Sequence, residues 1–381
     1  MNSSRLAESS APHPGGPPGL LWTLCMAAAL VGGPASPARA QEKFVLGGVL
    51  DAEVWKTDPG SELLSKNGGD PATEGRLRLW MAGEFHPRLQ AFVLGEVEGG
   101  KASGQGTETE LEQAFLRCWF EAPSRPVLEA GKIPMPIGNF ARRYLSSVNP
   151  LIGAPLGYDI SYPLGLQVSG KTDRFDYRVA AIDLPLANGF VPEASRALRP
   201  ALAAGVTPII GTRLGAYFTR GPYLNRGLEP LLPAGASWKD YTQRVVGLDF
   251  QFSRAHFELN GDFTWSRHDV PERSSPVRGR AYYIEPKYTW TPRFFTAIRF
   301  EKTDYPYIEA EEDELAAQVV KSYDTEVGLG YRFNPAALLK VAYRTAHVRA
   351  VEGESSLRDG YSISAQLSYS FDVGSWLKRP R

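Results

Sequence analysis

Residues 165–172, which read Gly-Leu-Gln-Val-Ser-Gly-Lys-Thr, match the phosphate-binding loop pattern letter for letter. In nucleotide-binding proteins this loop joins a strand to a helix, and the amides at the helix N-terminus face the phosphates. Here Leu164, Leu166 and Val168 alternate with polar residues as in a strand, and a second alternating segment starts at Phe175. Because no helix follows, the pattern predicts a strand that ends in a turn.

The other residue types that perform catalysis or bind metals are scattered along the chain. His86, His256, His268 and His347 lie far apart without metal-ligand spacing, and the sequence contains no Gly-x-Ser-x-Gly elbow. We therefore expect no catalytic residue, no cofactor and no metal site. Ser, His and acidic side chains that converge inside a closed barrel would still allow an outer-membrane hydrolase, which stays an alternative.

The first 40 residues have the layout of a secretory signal peptide. Arg5 precedes an apolar run at 20–31, and the small-residue stretch Ala38-Arg39-Ala40 follows. Twelve apolar residues are too few to span a bilayer, which takes about 20. We predict cleavage before Gln41, which leaves Cys118 as the single thiol of an exported chain.

The net charge of the chain limits the kinds of partner that it could bind through bulk charge. The chain has 42 Lys+Arg and 42 Asp+Glu, so its formal net charge is zero. A protein that binds nucleic acid through bulk charge would show a basic excess. We expect no nucleic-acid partner.

Period-two alternation recurs in the mature chain, with clear examples at 76–85, 256–265, 323–333 and 361–371. Strict alternation predicts strands with one apolar and one polar face. The segment at 197–205 is the weakest strand because it contains Pro200.

The connections between these strands alternate in length. Seven short turns separate eight longer polar loops, at 57–73, 99–110, 134–162, 185–196, 221–240, 267–280, 304–321 and 351–359. This plan predicts an all-β fold, a transmembrane antiparallel up-and-down β-barrel of about 16 strands with short periplasmic turns and long extracellular loops. We expect the barrel to span 41–371, with a short C-terminal tail at 372–381. A soluble sandwich or propeller is the alternative, but it would not predict this alternation of loop lengths.

The loop at 134–162 is much less polar than the others, with Ile137, Phe140, Tyr144, Leu145 and Leu151 among its members. A loop folded into the barrel would bury these side chains, and Arg142 and Arg143 would then project at the narrowest point. The alternative is that the loop packs on the barrel rim or on a neighbouring subunit.

Three segments, at 112–115, 131–140 and 149–151, resemble the phosphate-selective porin (O/P) family of outer-membrane β-barrels. They read Glu-Gln-Ala-Phe, Gly-Lys-Ile-Pro-Met-Pro-Ile-Gly-Asn-Phe and Asn-Pro-Leu. The resemblance implies a sixteen-stranded barrel, usually trimeric, with a constriction loop inside. Two departures from the family are the absence of a lysine cluster and the ten residues that follow Phe371.

We therefore expect an outer-membrane porin that is a passive diffusion channel for small hydrophilic or ionic solutes, with anions such as phosphate as candidate solutes. Its expected partners are outer-membrane lipid, lipopolysaccharide and two further copies of the chain in a homotrimer. The alternative is a closed barrel that acts as an enzyme or as a structural or adhesive surface protein. The bases predicted to line the pore or its constriction are Arg76, Arg78, Arg117, Arg142, Arg143, Arg178, Arg213, Arg299 and Arg344.

Overall fold

The computed structural model describes residues 43–61, 64–102, 106–122, 125–158, 160–186, 196–271, 273–311, 314–350 and 359–373. The predicted signal peptide at 1–40 and most of the predicted tail lie outside the described residues. None of the helices in the described ranges is both long enough and apolar enough to span a membrane.

Sixteen antiparallel strands pair with their neighbours in chain order, and β1 pairs with β16 to close the barrel. The predicted fold class is therefore confirmed, and the weak strand with Pro200 is present as β8. The strands are β1 Lys43–Thr57, β2 Ala72–His86, β3 Leu89–Gly100, β4 Glu108–Trp119, β5 Val127–Lys132, β6 Leu164–Lys171, β7 Phe175–Ile182, β8 Arg199–Ile209, β9 Thr212–Pro222, β10 Thr242–Arg254, β11 Phe257–His268, β12 Val277–Thr289, β13 Phe294–Glu311, β14 Glu314–Arg332, β15 Ala337–Ala350 and β16 Gly360–Asp372.

Polar side chains cover the inner face of the sheet and apolar side chains cover its outer face, which is the reverse of the arrangement in a soluble protein. On β1, Asp51 and Glu53 point inward and are buried, whereas Leu50 and Val54 point outward and stay about half exposed, at 49% and 53%. Because successive side chains of a strand point to opposite faces, the alternation in sequence sets this arrangement directly. An apolar exterior around a polar interior suits a barrel that is surrounded by lipid.

Loop length separates the two ends of the barrel. The seven connections at one end are short, at 87–88, 120–126, 172–174, 210–211, 255–256, 290–293 and 333–336. The longest connections, at 133–163, 183–198 and 223–241, lie at the other end. We call these the short-turn end and the long-loop end.

The loop predicted at 304–321 is wrong. β13 and β14 continue through these residues as a long hairpin, and only residues 312–313 separate the two strands. The strand pairing persists beyond the predicted strand ends, since Tyr305 lies opposite Val320 in the register and both side chains are buried. The polar composition of this stretch resembles a loop, but paired strands that project from a barrel do not need an apolar face.

Candidate functional site

The connection at 133–163 lies inside the barrel. Ile133 and Leu151 are fully buried, and Phe140 packs edge-on against Tyr283 of β12 at a ring distance of 6.0 Å. Its hydrogen bonds reach the inner face of β4 and the inner faces of strands from β7 to β15. We call this segment the inner loop.

One attachment of the inner loop is made by Asn139. Its amide nitrogen donates to the carbonyl of Gly261 at 3.1 Å, and its backbone N–H donates to Asp262 Oδ2 at 3.3 Å. The hydroxyl of Tyr283 donates to Asn139 Oδ1. A single buried amide thus joins the inner loop to β11 and β12, and its donors and acceptor are all satisfied.

A second attachment is made by Arg299 of β13, whose side chain is fully buried. Its guanidinium donates to the carbonyl of Gly153 at 2.7 Å and to Asn149 Oδ1 at 3.1 Å. Glu285 compensates its charge, with an oxygen 2.6 Å away. Arg299 was predicted to line the pore, but it lies beneath the inner loop, because the loop covers this part of the wall.

Lys340 of β15 makes a third attachment that the sequence did not single out. Its ammonium nitrogen donates to three carbonyls of the inner loop, those of Ser146 at 2.9 Å, Asn149 at 3.1 Å and Leu151 at 2.9 Å. Lys340 is almost completely buried. A cation enclosed by carbonyl dipoles fixes the turn at 146–151 to the wall.

Carboxylates of the wall hold the next part of the inner loop. Glu326 accepts hydrogen bonds from the backbone N–H groups of Ile152 and Gly153, at 3.0 Å each. Glu301 accepts from the N–H of Leu156 at 2.7 Å. These side chains satisfy backbone donors that would otherwise be buried without partners.

Tyrosines and a tryptophan fill one side of the lumen at the long-loop end. Tyr158, Tyr223, Trp238, Tyr283 and Tyr305 are buried there in one apolar cluster. The cluster packs the inner loop against this wall, since the rings of Tyr158 and Tyr283 lie 5.2 Å apart.

Tyr144 links the inner loop to the opposite wall. Its ring lies 4.9 Å from the guanidinium carbon of Arg78, and its hydroxyl donates to Glu112 Oε2 at 2.5 Å. Arg78 also pairs with Glu96 at 2.5 Å. Burial, together with the nearby Glu112 carboxylate, raises the pKa of the Tyr144 hydroxyl above its usual range, so the hydroxyl remains a donor.

A cavity of about 750 Å³ opens between the inner loop and the walls from β4 to β10, near the short-turn end. Six of its lining side chains are basic and two are acidic. We call it the basic cavity. Its charged lining residues are Arg117, Arg125, Arg142, Lys171, Arg178, Arg213, Glu129 and Asp176.

The bases of the basic cavity differ in how far they are neutralised. Arg117 pairs with Glu129 at 2.6 Å, and Arg213 pairs with Asp176 at 2.8 Å. Arg142 is exposed to the cavity and forms no ion pair with any residue that the structure describes. Arg178 donates to the carbonyl of Pro136 at 2.9 Å, and its carboxylate contact is long, at 3.9 Å. Arg125 and Lys171 likewise form no ion pair with a described residue, so the uncompensated positive charge lies on the inner loop, on β7 and beside two short turns.

A second cavity, of about 470 Å³, lies near the long-loop end and has the opposite balance of charge. Arg76 is its central base and contacts Glu74 at 2.7 Å and Glu53 at 3.2 Å. We call it the acidic cavity. Its charged lining residues are Glu53, Glu74, Glu98, Glu108, Glu326, Lys66, Arg76 and Arg344.

The predicted pore-lining arginines thus fall into separate groups. Arg117, Arg142, Arg178 and Arg213 line the basic cavity, and Arg76 and Arg344 line the acidic one. Arg78 lies behind Tyr144, whereas Arg143 is largely covered and pairs with Glu285 at 2.8 Å.

Sequence reasoning missed two of the cavity bases, Arg125 and Lys171. Both lie at short turns, where strand alternation no longer assigns a face. Across the described ranges, no three His, Cys, Asp or Glu side chains converge as a potential metal site.

No family model and no curated protein matches this sequence. Solved structures do match in fold. The chain is similar to an anion-selective porin from Comamonas acidovorans, with 10% identity, a TM-score of 0.58 and coverage of 87% of this chain and 100% of that one. It is also similar to OprB of Pseudomonas putida, with 13% identity, a TM-score of 0.57 and coverage of 87% and 94%.

A third match is OmpT, described as an outer membrane protein of Vibrio cholerae in its trimer form, with 11% identity, a TM-score of 0.52 and coverage of 87% and 99%. At such low identities the likeness concerns the fold. The chain is a closed sixteen-stranded antiparallel β-barrel like those of outer-membrane porins, and its resemblance to the O/P family stays a prediction.

Proposed function

We propose that this protein is an outer-membrane porin, a passive diffusion channel for small hydrophilic or ionic solutes, and that it is not an enzyme. The observation that carries the proposal is the charged space inside the barrel, which the inner loop narrows without filling. The apolar exterior fits an outer-membrane location, which a cleaved signal peptide would allow. OmpT in its trimer form supports a homotrimer.

The inner loop is the proposed constriction. Three buried side chains, those of Asn139, Arg299 and Lys340, hold one side of it against the β11–β15 wall. A solute passes beside this loop through the basic and acidic cavities, and the contact between Tyr144 and Arg78 narrows its path. Charged groups along the path replace part of the solute's hydration shell, so their local arrangement sets the ion preference.

We further propose that the basic cavity favours anions such as phosphate. Arg142 and Arg178 project into one cavity, and neither has a close carboxylate partner among the described residues. Guanidinium groups bind phosphate and carboxylate oxygens through paired hydrogen bonds. The similarity to an anion-selective porin agrees with this preference.

Single-channel current across a planar bilayer with a salt gradient tests both proposals, that the barrel conducts ions and that the basic cavity favours anions. The wild-type protein should conduct steadily and prefer chloride over potassium. R142Q should lower the chloride-to-potassium permeability ratio by up to about fivefold, the factor for the ~1 kcal/mol of one close unit charge in water. R254Q removes an exposed outward-facing arginine at the short-turn end and should leave the ratio unchanged.

The alternative is a closed barrel with an enzymatic or structural role, and the aromatic cluster that fills one side of the lumen favours it. A correctly inserted barrel that conducts no ions would refute the channel and support this alternative. Conduction with an unchanged ratio in R142Q would keep the channel and refute the role of the basic cavity.

A further inference from the structure

Four arginines form a straight row across the outer surface of the barrel. Arg220 of β9 is directly opposite Arg244 of β10, Arg244 is opposite Arg267 of β11, and Arg267 is opposite Arg278 of β12. Neighbouring strands are about 4.8 Å apart, so the four side chains leave the sheet as close neighbours. We call Arg220, Arg244, Arg267 and Arg278 the arginine row.

The arginine row points away from the lumen and lies near the long-loop end. The residues that alternate with it, including Thr219, Gln243 and Ser266, are buried inside the barrel. All four arginines are exposed, and each lies within three residues of its strand's end at the long loops. The row is therefore separate from both lumenal cavities.

No carboxylate of the described residues forms an ion pair with the arginine row, whereas lumenal arginines such as Arg76 and Arg213 have close acidic partners. Like charges directly opposite each other destabilise a sheet. Four of them in succession therefore suggest a ligand that supplies the missing negative charge. Arg280, two residues beyond Arg278 on the same outward face, also forms no ion pair with a described carboxylate, although Asp304 is opposite it in the register.

On two of the four strands an aromatic side chain lies one outward position nearer the middle of the barrel. Phe218 is two residues from Arg220 and Trp265 is two residues from Arg267, whereas on β12 Arg280 separates Arg278 from Tyr282. Aromatic girdles of membrane barrels lie where the hydrocarbon meets the headgroups. This order places the arginine row at the depth of the lipid phosphates.

We propose that the arginine row binds the headgroup of a multiply phosphorylated lipid in the leaflet beside the long loops. Each guanidinium presents a planar pair of donors to a phosphate, and the row repeats this site across four strands. A headgroup with two phosphates would bridge the row and cancel its repulsion. The inference rests on the outer-membrane location proposed above, but it does not require that the barrel conduct ions.

The test measures binding of a bisphosphorylated lipid A to the full barrel in phosphatidylcholine nanodiscs, with the double variant R244Q/R267Q. Each basic residue near an anionic membrane surface is worth about a fivefold change in binding, so the pair should weaken binding by roughly 30-fold. R254Q/R293Q removes two exposed arginines at the short-turn end and should bind as the wild type does. Phosphatidylglycerol, with one phosphate, should bind more weakly than lipid A.

Several outcomes would overturn the proposal. Equal lipid binding by R244Q/R267Q and the wild type would do so. Full displacement of the lipid by millimolar inorganic phosphate would also overturn it, because that result would show a site for free anions. An altered oligomeric state with unchanged lipid binding would overturn it as well, because that result would show a protein contact. The circular dichroism spectrum of R244Q/R267Q serves as the folding control, since an unchanged strand signal shows an intact barrel. A wild-type barrel that binds lipid A but conducts no ions would refute the channel and leave this proposal standing.

Discussion

Replacing Lys340 by methionine should release the middle of the inner loop. The ammonium group donates to the carbonyls of Ser146, Asn149 and Leu151, and methionine fills similar volume without a donor. Loss of the three bonds, which leaves buried carbonyls without a partner, should cost about 3 to 5 kcal/mol. At 1.4 kcal/mol per factor of ten, the detached population should rise by between about a hundredfold and a few thousandfold.

Limited trypsin digestion with mass spectrometry measures this detachment. Trypsin cuts after Arg142 and Arg143, and Arg143 is held in the folded protein by Glu285. We expect these two bonds to be cut much faster in K340M than in the wild type. Single-channel recordings should show larger current fluctuations, because a mobile segment then blocks and clears the lumen.

K287M is the matched control. Lys287 is also a lumenal lysine, but it pairs with Glu258 of the adjacent strand at 2.7 Å and makes no hydrogen bond to the inner loop. Its replacement should leave the cleavage rate after Arg142 and Arg143 unchanged. Equal protection of these bonds in K340M and the wild type would refute the assignment of Lys340 as an attachment of the inner loop.

Three further predictions follow from single side chains. R299M leaves the Glu285 carboxylate with only Arg143 as a partner, so the variant should lose about 3 kcal/mol of stability or more; an unchanged midpoint of denaturant unfolding would contradict this. N139L removes the side-chain bonds that join residue 139 to Gly261 and Tyr283 and should expose the inner loop to trypsin, as K340M does; continued protection would contradict it. K171Q should lower the chloride preference, measured as a shifted reversal potential, because Lys171 lines the basic cavity; an unshifted potential would contradict this.

The fold could be predicted from the sequence because each strand carries its own local signal. Alternation at 76–85 assigns both faces of β2 without reference to any other part of the chain. The contacts of the inner loop could not be predicted in this way. Lys340 and Leu151 lie 189 residues apart and meet only because the barrel closes, and neither carries a local sign of the other.

The arginine row was missed for a related reason. Arg267, Arg278 and Arg280 fell within the predicted loop at 267–280, where no face is assigned. β11 continues to His268 and β12 begins at Val277, so these arginines belong to strands. Their alignment with Arg220 and Arg244 is a matter of cross-strand register, which the alternation within one strand does not determine.

The lumenal arginines show why counting inward-facing charges does not predict ion preference. Arg299 has Glu285 and Glu326 as close partners, so its charge is used to hold the inner loop and does not reach a solute. Arg142 carries the same formal charge but has no ion-pair partner among the described residues and borders open space. An ion that enters the barrel responds to uncompensated charges near its path, because paired charges largely cancel within a few ångströms. The selectivity of this barrel should therefore follow from which arginines lack carboxylates, and only the three-dimensional pairing identifies them.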